Sequence, residues 1–63
     1  MDDQRAVLSS AVTTLDDLVA RITGVAETMH QAGDESLAAD LFEVERSLRM
    51  AHRRLSTVNR RIR

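Results

Sequence analysis

The chain has 63 residues, with no cysteine, tryptophan, tyrosine or proline, two glycines, and ten acidic against nine basic residues for a net charge of −1. A chain this short holds at most one small domain near the lower limit of independent stability, with no disulfide or thiolate metal site to staple it. The lack of turn-forming residues disfavours an all-β fold, and with Phe42 as the only aromatic the composition suits aliphatic side chains packed helix on helix. The fold class is expected to be all-α.

The first helix is predicted from about Asp2 to Ala32. Asp2 and Asp3 supply an N-cap and negative charge at the positive end of the helix dipole. Leu8, Leu15, Ile22 and Met29 recur every seven residues, a spacing that keeps one stripe of a helix against a partner. Gly33 can take the left-handed conformation that ends a helix, and Asp34 is then a good N-cap for the next, with Glu35 in its first turn.

The second helix is predicted over about residues 35–62, where Leu41, Leu48, Leu55 and Ile62 repeat the same period. Arg60, Arg61 and Arg63 suit its negative end. Each helix of about 30 residues is about 45 Å long, and the breaker at Gly33-Asp34 makes each the natural partner of the other. Residues 1–63 therefore read as one antiparallel, coiled-coil-like two-helix hairpin.

Folding the chain at Gly33 pairs residues whose numbers sum to about 66 (an estimate from ideal helix spacing). With the heptad leucines at position a, position d is Ala11, Leu18 and Val25 in the first helix and Leu37, Val44, Ala51 and Val58 in the second. The expected layers are Met29 with Leu37, Val25 with Leu41, Ile22 with Val44, Leu18 with Leu48, Leu15 with Ala51, Ala11 with Leu55, and Leu8 with Val58. Position e of the first helix, Val12, Val19 and Ala26, then lies outside the seam and widens its stripe to the pattern of a bundle. Joined by Ala38 and Phe42, these residues form the expected self-association surface, through which two hairpins make a homodimeric four-helix bundle. The competing readings are isolated surface apolar residues or a surface for a different protein.

Charge is segregated along the chain. Residues 1–45 carry all ten acids and two Arg, a net of −8, whereas residues 46–63 carry seven Arg and no acid. Arg46, Arg53 and Arg60 fall on the outermost position, f, where with Arg49 they could face the phosphates of a nucleic acid. Against that reading, no aromatic interleaves the arginines for base stacking. Internal pairing is the alternative: Asp16 and Asp17 lie level with Met50 and Arg49, Asp2 and Asp3 lie level with the C-terminal arginines, and Glu45 precedes Arg49 by four residues. Arg46, Arg49, Met50 and Arg53 are the candidates for binding a partner protein, an acidic one among them, because Arg and Met are favoured at interfaces.

Little in the chain points to chemistry. Glu27 and His30 have the Glu-x-x-His spacing of di-iron bundles, but Met29 takes the inward position and leaves both outside, so no metal is expected. His52 lies at a boundary position beside Val12, where a side chain titrating near neutrality would make association pH-sensitive. Ser9, Ser10, Thr13 and Thr14 form a polar face without a base, and Ala20 and Gly24 offer only a small-residue spacing. No catalytic residue, cofactor or small-molecule substrate is expected. No apolar run approaches the roughly 20 residues that span a bilayer, and the acidic N-terminus lacks the order of a signal peptide, so a cytoplasmic protein is expected. Arg as the sole basic residue type, beside many Ala, Val and Asp, suggests a GC-rich bacterial coding sequence. The expected function is a non-catalytic protein–protein interaction module, a small homodimerising adaptor or regulator. The alternatives are a nucleic-acid-binding bundle that uses the Arg-rich helix and a structural subunit of a larger assembly.

Overall fold

The computed structural model describes residues 2–62, the side chain of Asp2 excepted. The expected pairing of Asp2 with the C-terminal arginines, and any share of Arg63 in it, therefore lies outside the described residues. Helix α1 runs Asp2–Gln31 and helix α2 runs Glu35–Arg61, packed against each other as an all-helical hairpin. The molecule is a rod of 48 × 14 × 10 Å.

The turn is built from a few backbone bonds that satisfy the end of one helix and begin the next. Gly33 sits at φ 87°, and its N–H donates to His30 O at 3.1 Å while Asp34 N–H donates to Met29 O at 2.9 Å. These two bonds are the Schellman pattern, which occupies carbonyls that α1 would otherwise leave open. Asp34 then caps α2: its Oδ1 accepts from Leu37 N–H at 3.2 Å, and its carbonyl accepts from Ala38 N–H at 3.0 Å. Asp34 thus helps close α1 and opens α2, with only Ala32, Gly33 and Asp34 between the helices.

The seam between the helices corrects the expected layering. In α1 it is lined by Leu8, Val12, Leu15, Val19, Ile22, Ala26 and Met29, and in α2 by Ala38, Leu41, Glu45, Leu48, His52, Leu55, Asn59 and Ile62. Both sets alternate steps of three and four residues, so the seam uses positions a and e rather than a and d. Val25, Leu37, Val44 and Val58, all assigned to apolar layers, are instead 44–48% exposed, and Ala51 is exposed too. Small residues near the turn account for the change. Ala26 and Ala38 are the most deeply buried residues, at 0% and 2%, and let the backbones approach where the three-residue connection holds them close. Val25 and Leu37 in that place would force the helices apart, so both helices are rotated to bring the alanines inward.

The pairing offset also moves. Ser9 meets Asn59 and Thr23 meets Glu45, numbers that sum to 68 in each case rather than the expected 66. Only Val19, Ala26 and Ala38 are buried among the described residues, and the heptad leucines are half-covered. The two helices by themselves leave a narrow core.

Candidate interaction surfaces

Rotation of the seam redistributes every residue singled out from the sequence. Val19, Ala26 and Ala38, expected on a self-association surface, are buried inside the hairpin, and Val12 is half-buried there. They cannot also form an outer face. Phe42 is 38% exposed on the opposite flank from the apolar stripe described next. The self-association surface expected from the sequence is therefore not assembled as one patch.

A different apolar surface takes its place. The local two-fold relating antiparallel helices is perpendicular to the plane of the hairpin, so equivalent flanking positions of α1 and α2 emerge on the same side. One flank carries Ala11, Leu18 and Val25 from α1 with Leu37, Val44, Ala51 and Val58 from α2. These are the residues that the sequence placed at position d. They line the length of the rod, and Val7, 62% exposed, extends them at the terminal end. Ala11 and Leu18 are half-buried against the seam, whereas Val25, Leu37, Val44, Ala51 and Val58 are exposed, a periodic row unlike the isolated exposed side chains normal in soluble proteins.

The opposite flank is polar. Ser9 Oγ accepts from Asn59 Nδ2 at 3.0 Å, Thr23 Oγ1 donates to Glu45 Oε2, and His30 Nδ1 lies 2.9 Å from Glu35 Oε1 across the turn. Glu45 also accepts from Arg49 Nε at 3.2 Å. The Thr23 hydroxyl foremost, with Arg49 and Arg46, holds the Glu45 carboxyl below its ordinary value, against the opposing effect of burial. Asp16 stands level with His52 on this offset, with no ion pair between them among the described residues.

Near the terminal end of this flank a groove of about 480 Å³ is lined by Val12, Arg49, His52, Arg53, Ser56, Asn59 and Arg60. The structure therefore brings together Arg49 and Arg53 of the four partner-binding candidates and adds Arg60. Arg46 lies outside it, paired with Glu43 at 3.7 Å, and Met50 lies beside Ser47, Ala51 and Arg54 toward the apolar flank. The rotation that sent Asn59 and His52 inward brought Arg53 and Arg60 from the outermost position to the groove's edge. Asn59 and Ser56 were missed from the sequence because the apolar pattern pointed to a seam without them.

Internal pairing of the arginines is only partial. Asp17–Arg21, Glu43–Arg46 and Glu45–Arg49 are pairs within one helix, at 3.7, 3.7 and 3.2 Å. Arg53, Arg54, Arg60 and Arg61 have no acidic partner within 4 Å among the described residues. Glu27 and His30 do not converge on a metal site: His30 turns to Glu35, and no group of three or more metal-ligating side chains occurs among the described residues. No described helix is long and apolar enough to cross a membrane. The architecture is that of a helical hairpin with one apolar and one arginine-lined flank. No protein family, curated protein or solved structure matches the chain.

Proposed function

We propose that this chain is a non-catalytic protein–protein interaction module, a small homodimerising adaptor of the cytoplasm. The apolar flank carries the reading. Exposed Val25, Leu37, Val44 and Val58, with half-buried Leu18, lie on one side of a rod whose own seam buries three of the described residues, and stacking a second helical pair on that side completes a four-helix core. The groove at Arg49, Arg53 and Arg60 on the far flank then stays open to an acidic protein partner.

Sedimentation of the wild type beside Val44→Asp tests the reading. Val44 is 45% exposed and outside the seam, so the variant keeps its helices and sediments as a monomer while the wild type sediments as a dimer. A wild type that is folded and monomeric at tens of micromolar overturns it. Val19→Asp is not a usable probe, because a charge at a residue only 5% exposed opens the hairpin itself.

A second reading is favoured by Arg53, Arg54, Arg60 and Arg61, which have no acidic partner within 4 Å among the described residues and offer positive charge to nucleic-acid phosphates. Under that reading binding to mixed oligonucleotides falls steeply with salt and is lost in Arg53→Glu/Arg60→Glu. Oligonucleotide binding unchanged by that double variant excludes it.

A further inference from the structure

The rod is electrically polar along its long axis. Residues 16–50, which form the loop half, carry eight acids and three Arg for a net of −5. Residues 3–15 and 51–62, which form the terminal half, carry one acid and five Arg for a net of +4. The apolar flank is graded in the same direction. Leu18, Val25, Leu37 and Val44 fill its loop half, whereas the terminal half has Ala11, Ala51 and Val58, with Val7 at its far end.

From these two gradients, and resting on the interaction reading above, we infer that the flank is covered by a second copy of the chain docked head to tail, with the loop of each hairpin over the termini of the other. The relating two-fold crosses α2 between Ser47 and Leu48, at the middle of that helix. It sets Val44 against the partner's Ala51 and Leu37 against the partner's Val58, so each larger side chain meets a smaller one, and the helix surfaces interdigitate at even spacing. In α1 the same axis passes between Ala20 and Arg21, so the two copies of Leu18 lie about 7.5 Å apart along the rod and Val25 comes nearest the partner's Leu18.

Charge follows the same operation. The rim of the flank carries Asp40 near the loop and Arg54 and Arg61 near the terminal end. Head-to-tail docking brings Asp40 level with the partner's Arg54 and Asp34 level with the partner's Arg61. The alternative, with loop over loop, sets two acidic halves together and two basic halves together, and it stacks large side chains on large. Like charges brought face to face in this way reject an arrangement more strongly than rim pairs favour one.

Nitroxide labels at Ser47→Cys and at Asp40→Cys, one heptad apart on the same rim, test the arrangement in a chain with no other cysteine. At 1.5 Å per residue the two-fold passes about 1 Å from position 47 and about 11 Å from position 40. Head-to-tail docking thus leaves the two labels at 47 nearly level and separates those at 40 by about 22 Å along the axis. The expected result is a distance between labels at 40 that exceeds the one at 47 by more than about 10 Å. Equal distances at the two sites overturn the head-to-tail arrangement while leaving self-association intact. A labelled protein that is helical but monomeric by sedimentation overturns self-association, and this inference with it.

Discussion

Asn59 reaches back fifty positions to donate its Nδ2 to Ser9 Oγ at 3.0 Å, and the same offset returns two heptads nearer the turn where Thr23 meets Glu45. These polar contacts sit at the edge of an otherwise aliphatic seam. Leucines slide past one another with little change in energy, whereas a hydrogen bond between two fixed side chains is satisfied in one register. The pair therefore contributes more to alignment than to stability. Asn59 Oδ1 is buried without a partner among the described residues, which sets a cost against the bond its amide makes. Asn59→Leu is expected to leave the hairpin as stable or to raise its stability by about 1 kcal/mol. In a domain of this size that is a shift of about 4–8 °C in thermal midpoint. Ser9→Ala, which orphans the Asn59 amide, lowers the midpoint instead. A large loss in Asn59→Leu contradicts the account.

Acid should weaken the hairpin through Glu45. Its carboxyl is held below the ordinary value chiefly by the Thr23 hydroxyl, so the unfolded chain binds the proton more readily than the folded one. The stabilisation is fully present above the ordinary glutamate value of about 4.3 and is lost as pH falls through the lowered folded value. Urea unfolding midpoints are expected to drop between pH 6 and pH 3, with a smaller drop in Glu45→Gln and in Thr23→Val. An unchanged pH dependence in both variants removes Glu45 as its source.

The two glycines make opposite predictions. Gly33 lies at φ 87° with open space around the position of a Cβ, so Gly33→Ala meets no neighbour and is strained only by its backbone. Its cost is about 1 kcal/mol, read as a lower thermal midpoint. Gly24 is inside α1 with nothing within 4 Å of an added Cβ, and Gly24→Ala gains about 1 kcal/mol from helix propensity. Asp34→Ala loses the cap on Leu37 N–H, again about 1 kcal/mol.

Seam and flank separate cleanly by substitution. Ala26→Leu places a large side chain at a position with 0% exposure facing α2, and overpacking there lowers stability by about 1–3 kcal/mol in circular dichroism melts. Val58→Ser, at a residue 45% exposed on the flank, leaves the isolated hairpin's packing untouched and shows its loss only as weaker association with rising dilution. Equal effects of the two substitutions on a dilute monomer contradict the division of surfaces.

The arginine groove has its own test. Arg53 and Arg60 line it and have no acidic partner within 4 Å among the described residues. Arg53→Glu/Arg60→Glu is expected to abolish retention on an immobilised acidic peptide without altering helix content. Arg21→Glu, which disrupts only the exposed pair with Asp17, leaves retention unchanged.

Much of the architecture was legible in the sequence because it depends on local terms. The seven-residue apolar period, the glycine that tolerates positive φ and the aspartate that caps the following helix define two helices and a turn, and a turn this short makes the helices antiparallel. The observed α1, Asp2–Gln31, and α2, Glu35–Arg61, end within one residue of expectation. Which residues face inward was not legible. Both helices carry apolar side chains at a, d and e in part, so the period specifies the stripe but not its centre. Glu45, His52 and Asn59 at position e of α2 made an a/d seam look the better choice, since an apolar seam avoids polar groups.

The sequence by itself therefore determined the helices, the turn and the separation of charge, all of which follow from spacing along a single helix. Tertiary structure alone decided the rotational phase. Ala26 and Ala38, both buried beside a tight turn, let the backbones come close, and that approach sets the facing of everything further along the rod. The same rotation turned Leu37, Val44 and Val58 from expected core into an exposed flank and gathered Arg49, Arg53 and Arg60 at one groove. A pattern read along one helix contains no information about how close its neighbour can approach, and that distance decided which surface was left for a partner.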